Sequence, residues 1–158
     1  MKLQLWTDGS CKKNGKKGAI GGYAYVIVDE DVGIVDEFSA ADHNTTNNRM
    51  ELKAVIYGLR AVKSYVKSEF YEVEVYLDSA YIQNCFAQNW YKAWITNGWK
   101  TASKEPVKNQ DLWEELIPYF NDIRYTFIKV KGHNGVKYNE IVDALAQEAA
   151  WKLEEINK

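Results

Sequence analysis

The stretch NTTNNRMELKAVIYGLRAVKSYVKSEFYEVEVYLDSAY, residues 44–81, carries the change of period that decides the fold. Asn44, Thr45 and Thr46 are helix-cap candidates. After them Leu52, Val55, Ile56, Leu59, Val62 and Val66 recur at the three- and four-residue spacing of one helical face, with Glu51 in the first turns beside that stripe. The period then shortens to two. Val73, Val75 and Leu77 alternate with charged or polar residues and stop at Asp78, which marks the end of a strand. Upstream, Leu3 and Leu5 alternate with Lys2, Gln4 and Trp6, which predicts a short strand ending near Asp8. A strand, a helix and a second strand in that order predict parallel pairing across a crossover, bringing Asp8 and Asp78 side by side.

Working outward, residues 21–28 and 32–39 are β-rich on either side of an acidic, glycine-flanked turn and read as an antiparallel hairpin. A helix is expected from Ser79, then an aromatic segment at 90–99, a helix over roughly 111–117 stopping near Pro118, and a strand at 125–130. The tail presents Val142, Leu145, Ala149, Leu153 and Ile156 on one helical face, with Asp143 near its start. There is no internal repeat or low-complexity tract.

Length and composition bound the answer. At 158 residues, 46% hydrophobic and 27% charged, with two prolines, the sequence predicts one compact domain over 1–158. Such a chain buries about two-thirds of its unfolded surface. Cys11 and Cys85 form no CxxC pair, which discourages a disulfide framework or a zinc site. The N-terminus lacks the apolar core of a signal peptide, and no stretch approaches the ~18 apolar residues of a membrane span, so a cytoplasmic location is expected. A net charge of −2 does not announce a nucleic-acid binder. Its distribution matters more. Lys12, Lys13, Lys16 and Lys17 crowd the loop after the first strand, and four lysines face one glutamate between Lys92 and Lys108, while residues 29–42 hold six carboxylates and no lysine or arginine. That pattern predicts a basic side and an acidic back.

The chemistry follows from four acids. Asp8, Glu51, Asp78 and Asp143 each fall at a strand end or in early helical turns. Taken singly, a strand-end aspartate is usually a turn former and an early helical glutamate answers the helix dipole. Together they are expected at one α/β crevice, where like charges repel unless a cation lies between them. Hard divalent ions such as Mg²⁺ are held by a few carboxylates, and two such ions suit phosphodiester hydrolysis.

TDGSC, TNNRMEL, LDSAY, GWKTASKEPVKNQDLW and KGHNGVKYNEIVDALA occur in one order along essentially the whole chain. In these strings the sequence resembles type 1 ribonuclease H. The resemblance implies an α/β fold: a mixed five-stranded sheet, order 3-2-1-4-5, flanked by helices. Strands one to three would be antiparallel, and the last two parallel to the first. It implies an endonuclease that hydrolyses the RNA strand of RNA–DNA hybrids with two Mg²⁺ ions, Mn²⁺ being a substitute, leaving 5′-phosphate and 3′-hydroxyl ends.

By resemblance Asp8, Glu51, Asp78 and Asp143 are the metal-binding carboxylates, His133 assists proton transfer or product release, and Glu140 supports the second metal or its waters. Asn14, Asn47 and Asn48 match residues reaching the minor groove, where 2′-hydroxyls mark the RNA, and Cys11 and Met50 lie in RNA-contact segments through backbone groups. Tyr81, Trp90 and Trp94 match an aromatic channel for the DNA strand, and Thr46 and Asn109 a phosphate pocket. Trp99 and Lys100 belong to the matching basic protrusion, residues 90–108, where Ile95, Thr96, Asn97 and Gly98 replace the basic cluster of more basic members. Trp113, beside Leu112 and Leu116, reads as core, and His43 as a surface histidine.

The rival readings are a non-catalytic hybrid-binding module, which should have lost a metal carboxylate, and a DNA-cutting or strand-transferring relative such as a resolvase or integrase core. All four acids are intact, and the 2′-hydroxyl-reading segments favour the ribonuclease. A free-standing monomer acting on a hybrid, with no membrane association, is expected.

Overall fold

The computed structural model describes residues 2–66, 72–122, 124–129 and 137–156. Strands β1 (Lys2–Lys12), β2 (Ile20–Asp29) and β3 (Gly33–His43) come first. Helix α1 (Asn47–Tyr65), strand β4 (Glu72–Leu77), helices α2 (Ala80–Ala87), α3 (Trp90–Asn97) and α4 (Gln110–Asp122), strand β5 (Arg124–Lys129) and helix α5 (Lys137–Ile156) follow. The sheet order is β3-β2-β1-β4-β5, as the resemblance implies. β1 runs antiparallel to β2 and parallel to β4, and β4 is parallel to β5.

β2 is buried along most of its length, and Leu3, Leu5, Trp6, Thr7 and Gly9 of β1 are buried, because both sheet faces are covered. On one face Leu3, Leu5 and Ile27 pack with Leu52, Val55, Ile56 and Leu59 of α1. On the other, Trp6, Val26 and Val28 pack with Val142 and Ala146 of α5. Thr46 caps α1, its hydroxyl accepting from the Arg49 N–H at 3.2 Å, and Ser79 caps α2 in the same way.

Three expectations are corrected. β1 does not end near Asp8: its antiparallel pairing with β2 continues to Lys12, and only the parallel pairing with β4 stops, at Trp6 opposite Tyr76. Asp8 therefore stands on a strand edge that has outrun its parallel neighbour. α4 does not stop at Pro118 but passes through it to Asp122, because Leu116 and Phe120 on either side are both buried. The buried seam of α5 is Asn139, Val142, Ala146 and Ala150, whereas Ile156 is 77% exposed and Leu145 and Ala149 only flank it. Alanines occupy the seam at 146 and 150 because the helix backbone presses on Gly22 of β2: a Cβ built there would lie 1.9 Å from the Ala146 carbonyl oxygen.

Candidate active site

Asp8, Glu51, Asp78 and Asp143 converge from four elements. Asp8 projects from β1 beyond its pairing with β4, and Asp78 immediately follows the last residue of β4. Glu51 lies in the second turn of α1 and Asp143 in the second turn of α5. Gly9 makes the first of these meetings possible. A Cβ there would stand 2.4 Å from the Met50 carbonyl carbon and 2.5 Å from the Glu51 nitrogen, so only glycine lets α1 press its Glu51 turn onto β1 beside Asp8.

The electrostatics follow from this crowding. Burial pushes the Asp8 carboxyl up to about 8, helped by a hydrogen bond and charge repulsion from Asp143 and by the charge of Asp78. A hydrogen bond between two carboxyl groups requires one of them to hold a proton. Burial also drives Glu51 well above the ordinary carboxylate range, with Asp8 and Asp78 adding repulsion. The Gly9 N–H opposes both shifts without reversing either.

Glu51 Oε2 is buried without a hydrogen-bond partner, one of two such side-chain atoms among the described residues, the other being Thr45 Oγ1. A buried carboxylate oxygen with nothing to accept from demands a partner. An all-oxygen donor set fits a hard divalent ion in that role. Among the described residues no three acidic, histidine or cysteine side chains are gathered so as to hold an ion by themselves. Mg²⁺ does not need such a set, since it takes one or two carboxylates and completes its shell with water and substrate oxygens.

The expected RNA contacts form one clip between the β1–β2 loop and the start of α1. Asn14 Oδ1 accepts from the Asn47 N–H at 2.8 Å, and Asn47 Oδ1 accepts from the Cys11 N–H at 2.6 Å. Asn48 is exposed beside them, while the Met50 side chain is buried and its N–H is spent on the Thr46 carbonyl. Burial pushes the Cys11 thiol up, so it offers no thiolate.

Of the residues expected along the DNA strand, Trp90 is exposed, but Trp94 is buried against Trp113 and Trp99 and lines a 490 Å³ apolar pocket with Trp90, Ala93 and Lys100. Tyr81 is half-buried, and its hydroxyl accepts from Trp113 Nε1 at 2.8 Å. Lys100 is exposed next to a left-handed Trp99. Glu140 is exposed in the first turn of α5, one turn before Asp143. His133 lies outside the described residues.

The RNase H family model matches residues 1–151. The chain belongs to the RNase H family. The ribonuclease H of Caldanaerobacter subterraneus subsp. tengcongensis is 44% identical over 146 residues, covering 92% of this chain and 89% of that one. The ribonuclease H of Clostridium botulinum is 43% identical over 148 residues, 94% and 95% of the two chains. LC9-RNase H1, a type 1 RNase H with the type 2 active-site motif, matches with a TM-score of 0.79 at 30% identity over 96% of this chain and 72% of its own. LC11-RNase H1, solved in complex with RNA/DNA hybrid, has the same fold, with a TM-score of 0.74 at 24% identity over 96% and 98% of the two chains. A ribonuclease H enzyme is the activity these family relationships support.

Within this RNase H fold the structure adds three residues that the sequence reading passed over. Gly9 brings Glu51 to Asp8. Gln147 donates to both Asp143 oxygens at 3.1 Å, an i,i+4 pair that helical spacing could have revealed. Arg49 reaches from α1 to Asn109 and Asp111, a contact 60 and 62 residues away that no local pattern announces.

Proposed function

We propose that this chain is a single catalytic domain that hydrolyses the RNA strand of RNA–DNA hybrids by two-metal-ion catalysis, leaving 5′-phosphate and 3′-hydroxyl ends. The observation that carries the reading is the pairing of a buried, partnerless Glu51 oxygen with an Asp8 carboxyl raised to about 8 beside it. Bound Mg²⁺ or Mn²⁺ supplies activation of the attacking water and neutralisation of charge at the leaving oxygen. Asp8, Glu51, Asp78 and Asp143 would hold the ions.

The chain's own groups do the rest. Glu51, at the start of α1, would lie close to the RNA 2′-hydroxyl. The Asn14, Asn47 and Asn48 clip, with backbone groups near Cys11 and Met50, would meet the minor groove, where 2′-hydroxyls distinguish RNA from DNA. Thr46 and Asn109 would hold a DNA-strand phosphate, with Tyr81, Trp90, Trp94, Trp99 and Lys100 along the same strand. Glu140 would support the acid cluster. His133 would move a proton at, or speed departure of, the product, so His133→Ala is expected to slow turnover without abolishing it.

The test is incubation of the purified protein with end-labelled RNA–DNA hybrid, duplex DNA, duplex RNA and single-stranded RNA, each with Mg²⁺ and with EDTA. Metal-dependent cutting of the RNA strand in the hybrid alone is expected. Tight hybrid binding without cleavage would establish a docking module instead.

A further inference from the structure

We propose that Arg49 is a positioning residue for phosphate recognition: its guanidinium fixes the Asn109 side-chain amide with N–H outward and fastens the loop before α4 to the helix that carries Glu51. The proposal rests on Thr46 and Asn109 being the phosphate contacts.

Arg49 is an odd residue for its position. It lies in the first turn of α1, where the helix dipole disfavours a cation. Its guanidinium instead spans two elements. Nη1 and Nη2 form a forked pair with Asp111 at 3.0 and 2.8 Å, and Nη1 also donates to Asn109 Oδ1 at 3.3 Å.

Donor counting gives this geometry its meaning. Arginine has no acceptor, so Asn109 must turn its oxygen toward Arg49. The amide nitrogen then faces the other way, where one N–H meets the Tyr81 hydroxyl at 3.4 Å and the second is left to donate. Tyr81 is itself held by Trp113 Nε1 at 2.8 Å. The Asn109 backbone is equally constrained, with φ of 63° and a carbonyl that accepts from Leu112 and Trp113 at 3.0 Å each. Thr46 is turned in the same sense, because its hydroxyl oxygen accepts from the Arg49 N–H at 3.2 Å, which leaves the O–H to donate. Two neutral side chains thus offer outward donors beside a guanidinium, an arrangement that suits an anion. Without Arg49 the Asn109 amide is free to flip and present its oxygen to a phosphate.

The test scans a single neutral methylphosphonate linkage along the DNA strand of a short hybrid and measures equilibrium binding in EDTA, so the readout is independent of cleavage. For the unaltered protein one position should weaken binding about tenfold, the cost of losing a charge-assisted contact. Arg49→Ala and Arg49→Lys should bind the unmodified hybrid about tenfold more weakly and show no penalty at that position, with other positions unchanged. Arg49→Lys keeps the charge but not the fork, and melting curves establish that it is folded. The proposal is overturned if the position-specific penalty survives in both variants, if neutralisation at every position costs the variants equally, or if the unaltered protein shows no sensitive position. Cleavage of unmodified hybrid is measured in parallel: its absence would sink the catalytic reading while leaving the Arg49 result to stand or fall by itself.

Discussion

Asp8 and Glu51 are carboxyl groups that the fold keeps from ionising freely, and the sign of that effect gives a measurable consequence. The folded-state pKa of Asp8, about 8, lies above the ~3.9 of an unfolded chain, so between those values the folded protein holds more protons than the unfolded one. Metal-free stability should therefore fall as pH rises from about 4 to about 8, with Glu51 acting in the same direction. Asp8→Asn removes this burden. In EDTA its melting temperature should match the unaltered protein near pH 4 and exceed it increasingly toward pH 8, while hybrid cleavage in Mg²⁺ is lost. Equal melting temperatures at pH 8 would mean that Asp8 is ionised at no cost.

At the scale of elements, two close approaches decide the site. Gly9 lets α1 touch β1, and Gly22 lets α5 touch β2. Gly9→Ala would drive a Cβ into backbone atoms of Met50 and Glu51, which no rotamer change relieves. Overpacking of this kind costs about 1–3 kcal/mol, so urea denaturation should show at least that loss, with turnover falling further as Glu51 moves from Asp8. A Gly9→Ala protein with normal turnover would show that this contact is dispensable.

Helix α4 gives a contrary prediction. Pro118 sits in the interior of α4, exposed, with no N–H to give the preceding turn. Pro118→Ala should raise stability, by up to about 3 kcal/mol, and leave cleavage unchanged. Unchanged or lower stability in denaturant melts would mean that the helix has already adapted to the ring.

Over the whole molecule charge is unevenly distributed although its sum is only −2. The acidic residues of β3 lie on the sheet edge farthest from β5, and the lysine-rich loop after β1 lies at the end of the strand that carries Asp8. Lys92 and Lys100 in and after α3 are exposed, and the same helix holds an exposed Ile95 and Thr96 where the resemblance places a basic cluster. Ile95→Lys with Thr96→Lys should steepen the dependence of log K on log salt by roughly 0.9 for each new phosphate contact. A slope unchanged by both lysines would mean that this part of α3 does not approach the hybrid. No helix among the described residues is long and apolar enough to cross a membrane.

Helix α1, the parallel pairing of β1 with β4, and the convergence of Asp8 with Asp78 were legible in the sequence because each depends on local period and on a strand–helix–strand crossover, whereas the full sheet order came from the family resemblance. The mistaken ends of β1, α4 and the α5 seam share one cause. Period and breaker residues report what a segment prefers alone, whereas β2 extends β1 past Asp8, the buried Leu116 and Phe120 carry α4 through Pro118, and Gly22 selects alanines over larger side chains on α5. Tertiary structure alone determined that Glu51 is buried with a partnerless oxygen, that Asp8 is raised to about 8, and that Arg49 turns the amide of Asn109. The sequence names these groups, but only packing sets the distances between them, and desolvation and hydrogen bonding depend on those distances.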